Sequence, residues 1–246
     1  MASAANVHGV CIGADKLGHF FDLGWRYWAA SLTPGVTAAR IESLGSGSEM
    51  TLAGLGLTGV YSNADLEANR KGFQFYKDLQ ANPSSLTFAI KEYITDQWNE
   101  RVNPSFYSAN IAGIVWNNLL TGSWRGTIGP STKADARFNL SATGSSVTGT
   151  YELPPGSARP DKGKITGGTI TQVTTTVSGD VSLTTSLPPH VVSATPVSGV
   201  KIDFDWERGT ASGKGVLNSV KEQTLHGTWG HGASSTDGGI LHLEKI

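Results

Sequence analysis

The chain has 246 residues, of which 38% are hydrophobic and 16% charged, and it carries 31 glycines. Its 19 basic and 20 acidic side chains occur without long runs of one sign, so the chain lacks the basic face that nucleic-acid binding requires. Cys11 is the only cysteine, which excludes a disulfide within the chain. No apolar run reaches the roughly 20 residues of a membrane helix, and no signal peptide is recognisable. We expect a soluble protein, cytoplasmic or secreted, without a membrane span or a nucleic-acid partner.

Residues 15–30 have the apolar periodicity of an amphipathic helix. Aromatic side chains gather on one side of the helical wheel, and Asp15, His19, Asp22 and Arg26 form a narrow polar stripe on the other side. The pattern predicts one continuous helix whose polar stripe faces solvent.

The next 90 residues contain further helix signals. The glycine-rich stretch 43–59 is typical of a long loop, and Ser62 is a good N-cap for a helix over residues 63–80. Pro104 occupies a favourable first helical position, and Gly122 is well placed to end the helix that follows. We therefore predict a helix-rich domain over residues 1–122 with a long glycine-rich loop.

After Gly122 the period of the apolar pattern changes to two. The clearest strand covers residues 200–207. One of its faces carries Val200, Ile202, Phe204 and Trp206, and charged residues occupy the other face. Further strands are predicted at 123–128, 138–142, 147–153, 164–172, 175–183, 213–218, 224–230 and 239–245. These short, turn-linked strands predict an antiparallel up-and-down β-barrel of about eight strands over residues 123–246, and an α+β fold for the whole chain.

Three short motifs in this half have a family resemblance. Gly122-Ser123-Trp124 and Gly227-Thr228-Trp229 stand near the first and last strands, and Thr148-Gly149-Thr150-Tyr151 lies on an early strand. They resemble the Gly-x-Trp opening and the Thr-Gly-Thr-Tyr strand of the avidin and lipocalin barrels, which are grouped as calycins. The resemblance covers residues 123–246 and implies a barrel closed at one end, with an apolar interior that could take a ligand.

The aromatic residues of the barrel are the candidate ligand-binding residues. Trp124, Trp206, Trp229 and Tyr151 are predicted to point inward, where they would contact a ligand at the open end or fill the core at the closed end. The first functional hypothesis is therefore a binding protein for a small apolar, amphipathic or lipid-like ligand. The helical half would serve as a lid or as a docking face for a protein partner.

The second hypothesis places a catalytic site in the helical half. His19 would act as general base, Asp15 would orient it from one helical turn away, and Glu42 or Glu49 would supply an acid or a metal ligand. The loop over residues 43–62 would cover this site, and the reaction would be a hydrolysis. A third hypothesis is a secreted bacterial effector or toxin, which would explain a helical unit attached to a barrel. The plainer alternative is a solvent-facing ion pair that supports the helix. No sequence motif names a cofactor or a metal, and none is predicted.

Two further groups carry weaker signals. His226 and His242 could face each other across a hairpin and bind a metal, but the alternation predicts that they point outward as surface histidines. Cys11 precedes the first helix and could be a nucleophile with His8 or His19 as its base, although a lone cysteine is more often inert.

Overall fold

The computed structural model describes residues 4–51, 54–84, 87–129, 135–153, 162–182, 188–219 and 223–246. They form two compact units. The helical unit comprises Met1–Ser108 and Thr175–Pro196, and the barrel unit comprises Ala109–Thr174 and Val197–Ile246. None of the helices within these described ranges is both long and apolar enough to span a membrane.

The helices and strands are numbered here in chain order. Up to residue 120 they are β1 (Ala4–Val7), β2 (Val10–Gly13), α1 (Asp15–Gly18), a π-helical turn (His19–Leu23), α2 (Gly24–Ser31), α3 (Ala38–Met50), β3 (Val60–Tyr61), α4 (Asn63–Ala81), β4 (Phe106–Tyr107) and α5 (Ala109–Leu120). From residue 122 they are β5 (Gly122–Gly129), β6 (Asp135–Thr143), β7 (Ser146–Glu152), β8 (Lys162–Thr174), β9 (Val177–Asp180), β10 (Val191–Ala194), β11 (Val197–Arg208), β12 (Ala211–Ser219), β13 (Thr224–His231) and β14 (Gly239–Lys245).

The predicted helix over residues 15–30 is confirmed, with a change of helical pitch inside it. The π-helical turn His19–Leu23 separates α1 from α2, and its extra residue rotates the following positions about the helix axis. Phe20 is fully buried in the core, whereas Phe21 and Trp25 of the predicted aromatic face are 40% and 49% exposed. The helix is therefore present, and Asp22 and Arg26 of its polar stripe are exposed and ion-paired. The aromatic face is only partly buried, because a change of helical pitch cannot be seen in a simple periodicity.

The first half of the glycine-rich stretch 43–59 is helical and not the predicted loop, whereas residues 54–59 form turns. Helix α3 runs through it to Met50, and Thr37 caps the helix by accepting a hydrogen bond from the amide of Arg40. A side chain at Gly47 would overlap the backbone of Asp180, and one at Gly45 would overlap the Tyr27 hydroxyl. These glycines permit close packing within a helix, so their presence does not indicate a loop.

Helix α4 begins and ends within one residue of its predicted bounds. Ser62 accepts a hydrogen bond from the amide of Asp65, as its N-cap position predicts. Helix α5 begins at Ala109, five residues later than the proline signal predicts. Phe106 and Tyr107 instead pair antiparallel with β3, which keeps their backbone extended.

The barrel unit contains a closed antiparallel sheet of eight strands. Each strand pairs with its neighbours in the order β5, β6, β7, β8, β11, β12, β13 and β14, and β14 pairs with β5 to close the sheet. Two tight turns, Gly144–Ser145 and Gly209–Thr210, use glycines with φ of +59° and +58°, which other residues rarely adopt. The predicted α+β fold and up-and-down barrel are confirmed.

The segment between β8 and β11 departs from the prediction. Residues 175–183 were expected to add a barrel strand, but β9 pairs with β10 in a separate two-stranded sheet of the helical unit. Close contact between Gly179 and Gly47 seats this hairpin on α3. Helix α5 therefore belongs to the barrel unit, and residues 175–196 belong to the helical unit. This division differs from the single boundary at residue 122 that the sequence predicts.

Candidate functional site

The barrel interior holds a cavity of about 160 Å³ near one end of the sheet, and this cavity is partly open to solvent. Its wall contains five aromatic residues, which are Phe138, Tyr151, Phe204, Trp206 and Trp229. Four aliphatic residues, Ile128, Leu153, Ile165 and Leu241, complete the apolar lining, and Arg208 also contributes to the wall. For scale, a closed cavity of about 150 Å³ lined only by apolar side chains takes up one molecule of benzene.

Strand alternation and glycine placement build this wall. Phe204 and Trp206 lie on the inward face of β11, and they are paired across the sheet with Gly215 and Gly213. A side chain at either glycine would overlap the facing ring. The glycines therefore let large rings lie flat against neighbouring strands, which leaves free space at the barrel axis.

Arg208 is the last residue of β11 and continues the inward face of Phe204 and Trp206. It is half-buried, and it has no hydrogen bond or ion pair with any other described residue. Burial raises the pKa of the Tyr151 hydroxyl, and the positive charge of Arg208 opposes that shift. A cation therefore stands close to the aromatic wall of the cavity.

The two lining tryptophans differ in their hydrogen bonding. Trp206 donates its indole N–H to the carbonyl of Gly230 over 2.9 Å. The indole nitrogen of Trp229 is buried, and within the described ranges no acceptor lies in reach of it. Buried donors in native proteins are almost always paired with protein, water or ligand. The indole nitrogen of Trp229 is therefore an unsatisfied donor that has almost no accessible surface, although the ring lines the cavity.

Of the four predicted ligand-binding residues, Trp206, Trp229 and Tyr151 line this cavity. Trp124 does not line it. Its ring is 2% exposed, its N–H donates to the carbonyl of Leu120, and the Lys245 ammonium lies 5.7 Å from its ring centre. Trp124 therefore packs at the carboxyl end of α5. Sequence reasoning missed Arg208, which an extension of the alternation by two residues beyond Trp206 would have found.

The second candidate site is an ion network in the helical unit, centred on Lys16. Lys16 is fully buried, and its ammonium lies 2.6 Å from Asp65, 3.0 Å from Asp15 and 2.9 Å from Glu100. Burial by itself would lower the pKa of Lys16, but the carboxylates of Asp65 and Glu100 raise it above its usual value. Lys16 is therefore a fully charged and fully paired group in the interior.

His19 lies next to this network and is only partly exposed. Its side chain is 18% exposed; Nε2 lies 3.3 Å from Asp65, and Nδ1 lies 3.0 Å from the Asn69 side-chain oxygen. Asn69 in turn donates to the Tyr27 hydroxyl over 3.1 Å. Asp15, the predicted orienting group, binds the Lys16 ammonium instead. Both ring nitrogens of His19 are engaged, so neither is free to accept a proton from a substrate.

The two predicted acidic residues lie in different surroundings. Glu49 is 2% exposed and accepts a hydrogen bond from the backbone amide of Ser62. Burial, reinforced by the negative charge of Asp65, raises the pKa of Glu49 to about 7. Glu42 is exposed and lines a separate polar pocket of about 330 Å³ together with Tyr27 and Arg70.

One group in the described ranges has the composition of a metal site. Asp15, His19 and Asp65 offer ligand atoms that lie within 4.8 Å of one another. The Lys16 ammonium already contacts both carboxylates and neutralises charge there, so a divalent cation would have to compete with a buried lysine. The arrangement therefore gives no support for a metal.

Cys11 is an exposed residue of β2, the strand that directly precedes α1. His226 and His242 are paired directly across β13 and β14, with their Nδ1 atoms 2.8 Å apart, on the outer face of the barrel.

Comparison of the chain with protein-family models, with curated proteins and with solved structures gave no match.

Proposed function

We propose that this protein binds a small apolar or amphipathic ligand inside its β-barrel. The observation that carries the proposal is the cavity of about 160 Å³, lined by five aromatic and four aliphatic residues. Protein interiors are normally packed without voids of this size, because lost contacts destabilise the fold. An apolar cavity bounded by a few polar groups is the usual form of a small-molecule site.

A relationship with the calycins is part of the proposal. Lipocalin and avidin-type barrels are up-and-down antiparallel sheets of eight strands, and this barrel has the same strand number and connectivity. Two of the three motifs that carry the resemblance place Trp229 and Tyr151 in the cavity wall. A lid or docking role for the helical half stays a prediction from the sequence.

The hydrolase hypothesis has weaker support. A general base needs one nitrogen facing the substrate, and both nitrogens of His19 bind protein groups. The glycine-rich segment that was expected to cover the site is helix α3 up to Met50. Of the two predicted acids, Glu49 is buried and Glu42 is exposed.

Binding is tested by titrating the full chain with hexanol and with hexanoate in an isothermal calorimeter, and by measuring the melting temperature at saturation. Saturable binding of either probe, with a raised melting temperature, supports the proposal because a ligand that binds only the folded state stabilises it.

The matched control is Leu153→Trp, which adds a ring at a half-buried position in the cavity wall. Both probes should lose binding to this variant. If neither probe binds the unmodified chain, or if both bind Leu153→Trp equally well, the barrel is not the binding site.

A further inference from the structure

The cavity wall has an asymmetric chemical character. Nine of its lining residues carry no charge, and Arg208 is the one charged residue among the described lining residues. A guanidinium held beside an apolar space loses part of its hydration, and such a group is normally compensated by an anion. Within the described part of the chain no carboxylate is hydrogen-bonded or ion-paired with Arg208.

Strand geometry explains why the neighbouring acidic residues do not compensate it. Glu207 precedes Arg208 on the opposite face of β11 and is exposed. Asp205 also faces outward, where it pairs with Lys214 over 2.8 Å. Because successive side chains alternate between the two faces, these carboxylates are directed away from the cavity that Arg208 lines.

We infer that the ligand of this barrel is a small amphipathic carboxylate, whose anionic end pairs with Arg208 and whose apolar body fills the cavity. The inference rests on the proposed binding function and names the class of ligand. A guanidinium binds a carboxylate through two parallel hydrogen bonds. One cation matches the single charge of a carboxylate better than the nearly double charge of a phosphate monoester.

The size of the cavity limits the apolar body. A space of about 160 Å³ is similar to the cavity of about 150 Å³ that holds one benzene molecule. The body should therefore be a single ring or a chain of about six carbons, not a long fatty acid.

The test compares two probes of equal chain length, hexanoate and hexanol, by calorimetry near pH 7.5. The unmodified chain should bind hexanoate more tightly than hexanol. Arg208→Gln should weaken hexanoate binding about tenfold or more, since a hydrogen bond to a charged group is worth at least that factor. Hexanol affinity should stay within about twofold, because an alcohol has no charge for Arg208 to pair with.

Arg137→Gln is the matched control. Arg137 is an exposed residue on the outer face of β6, one residue before the cavity-lining Phe138, and its loss should change neither affinity. Arg208→Lys keeps the charge but not the planar fork, so its hexanoate affinity should fall between those of the unmodified chain and Arg208→Gln. Hexanol binding to each variant also reports that the cavity has folded.

Equal affinity of the unmodified chain for the two probes, or an Arg208→Gln variant with unchanged hexanoate affinity, would overturn the inference. In either case the proposed binding function stands, because both probes still bind. Failure of both probes to bind the unmodified chain overturns the proposed function and the inference together.

Discussion

The two units of this protein have interiors of opposite kinds. In the barrel, apolar walls surround a cavity, and Arg208 stands at that wall without a hydrogen-bond or ion-pair partner among the described residues. In the helical unit, charged groups occupy the interior, and Lys16 and His19 are held by protein partners on every side that the structure shows. One interior is an apolar wall around a cavity, and the other contains a network of paired charges.

This difference shows which buried polar groups point to function. Asp15, His19 and Asp65 have the composition of a catalytic or metal site, but their hydrogen-bonding capacity is used within the chain. Arg208 belongs to no motif, but it stands beside free space without a partner among the described residues. Under the proposed binding function, unused bonding capacity next to a cavity marks the ligand site better than residue type does.

The largest expected effect tests how much the ion network around Lys16 stabilises the helical unit. Lys16→Met should lower the free energy of unfolding by about 3–5 kcal/mol, because it leaves Asp65 largely buried without its cation. Lys214→Met removes the exposed pair with Asp205 and should cost less than about 1 kcal/mol. Urea denaturation of the two variants measures both values. Similar losses would mean that the Lys16 network is not an integral part of the fold.

The next test concerns the wall of the barrel. Trp206→Ala should destabilise the protein by about 3 kcal/mol, near the lower limit for such changes, because one side of the ring already borders the cavity. Asp205→Ala, on the outer face of the same strand, should cost no more than about 1 kcal/mol. Chemical denaturation that gives equal losses for the two variants would contradict the assignment of inward and outward faces.

A smaller expected effect is a pH dependence of stability that comes from the buried Glu49 of the helical unit. The pKa of Glu49 is about 7 in the folded protein and about 4.3 in an unfolded chain. As the pH rises, the Glu49 carboxyl group therefore stays protonated to a higher pH in the folded state than in the unfolded state. Stability linked to this group is therefore complete below about pH 4 and is lost as the pH rises through 7.

Glu49→Gln cannot ionise, and it should be more stable than the unmodified chain at pH 8 by on the order of 2 kcal/mol. The two proteins should have similar stability near pH 4. Urea midpoints at both pH values measure this, with Glu42→Gln as the exposed control that should show no such gain. A gain that does not depend on pH would exclude ionisation of Glu49 as its cause.

The smallest expected effect is a shift in the pKa of His226, which is paired with His242 on the outer face of the barrel. Partial burial, together with the nearby charge of His242, lowers the pKa of His226 below its usual value of about 6.5. An NMR titration should place the midpoint of His226 below that value. His242→Asn should raise the midpoint only in part, because burial is the larger cause. An unchanged midpoint in the variant would show that the two imidazoles do not interact.

Local patterns in the sequence determined much of the fold. The alternation in residues 200–207 predicted a strand with one buried face, because a residue's position in an extended chain sets the face on which it lies. Ser62 predicted the start of α4, because capping depends on groups three residues apart. The same alternation predicted that Trp206 would point into the barrel, and it lines the cavity there.

Contacts between distant residues decided the rest. Residues 43–50 form a helix because Gly45 and Gly47 admit Tyr27 and β9 at close range, which no local pattern shows. Lys16 is buried only because Asp65 and Glu100, distant in sequence, supply its counter-charges. The cavity depends on the closure of eight strands, which alone determines whether inward side chains meet at the axis or leave a space beside Arg208.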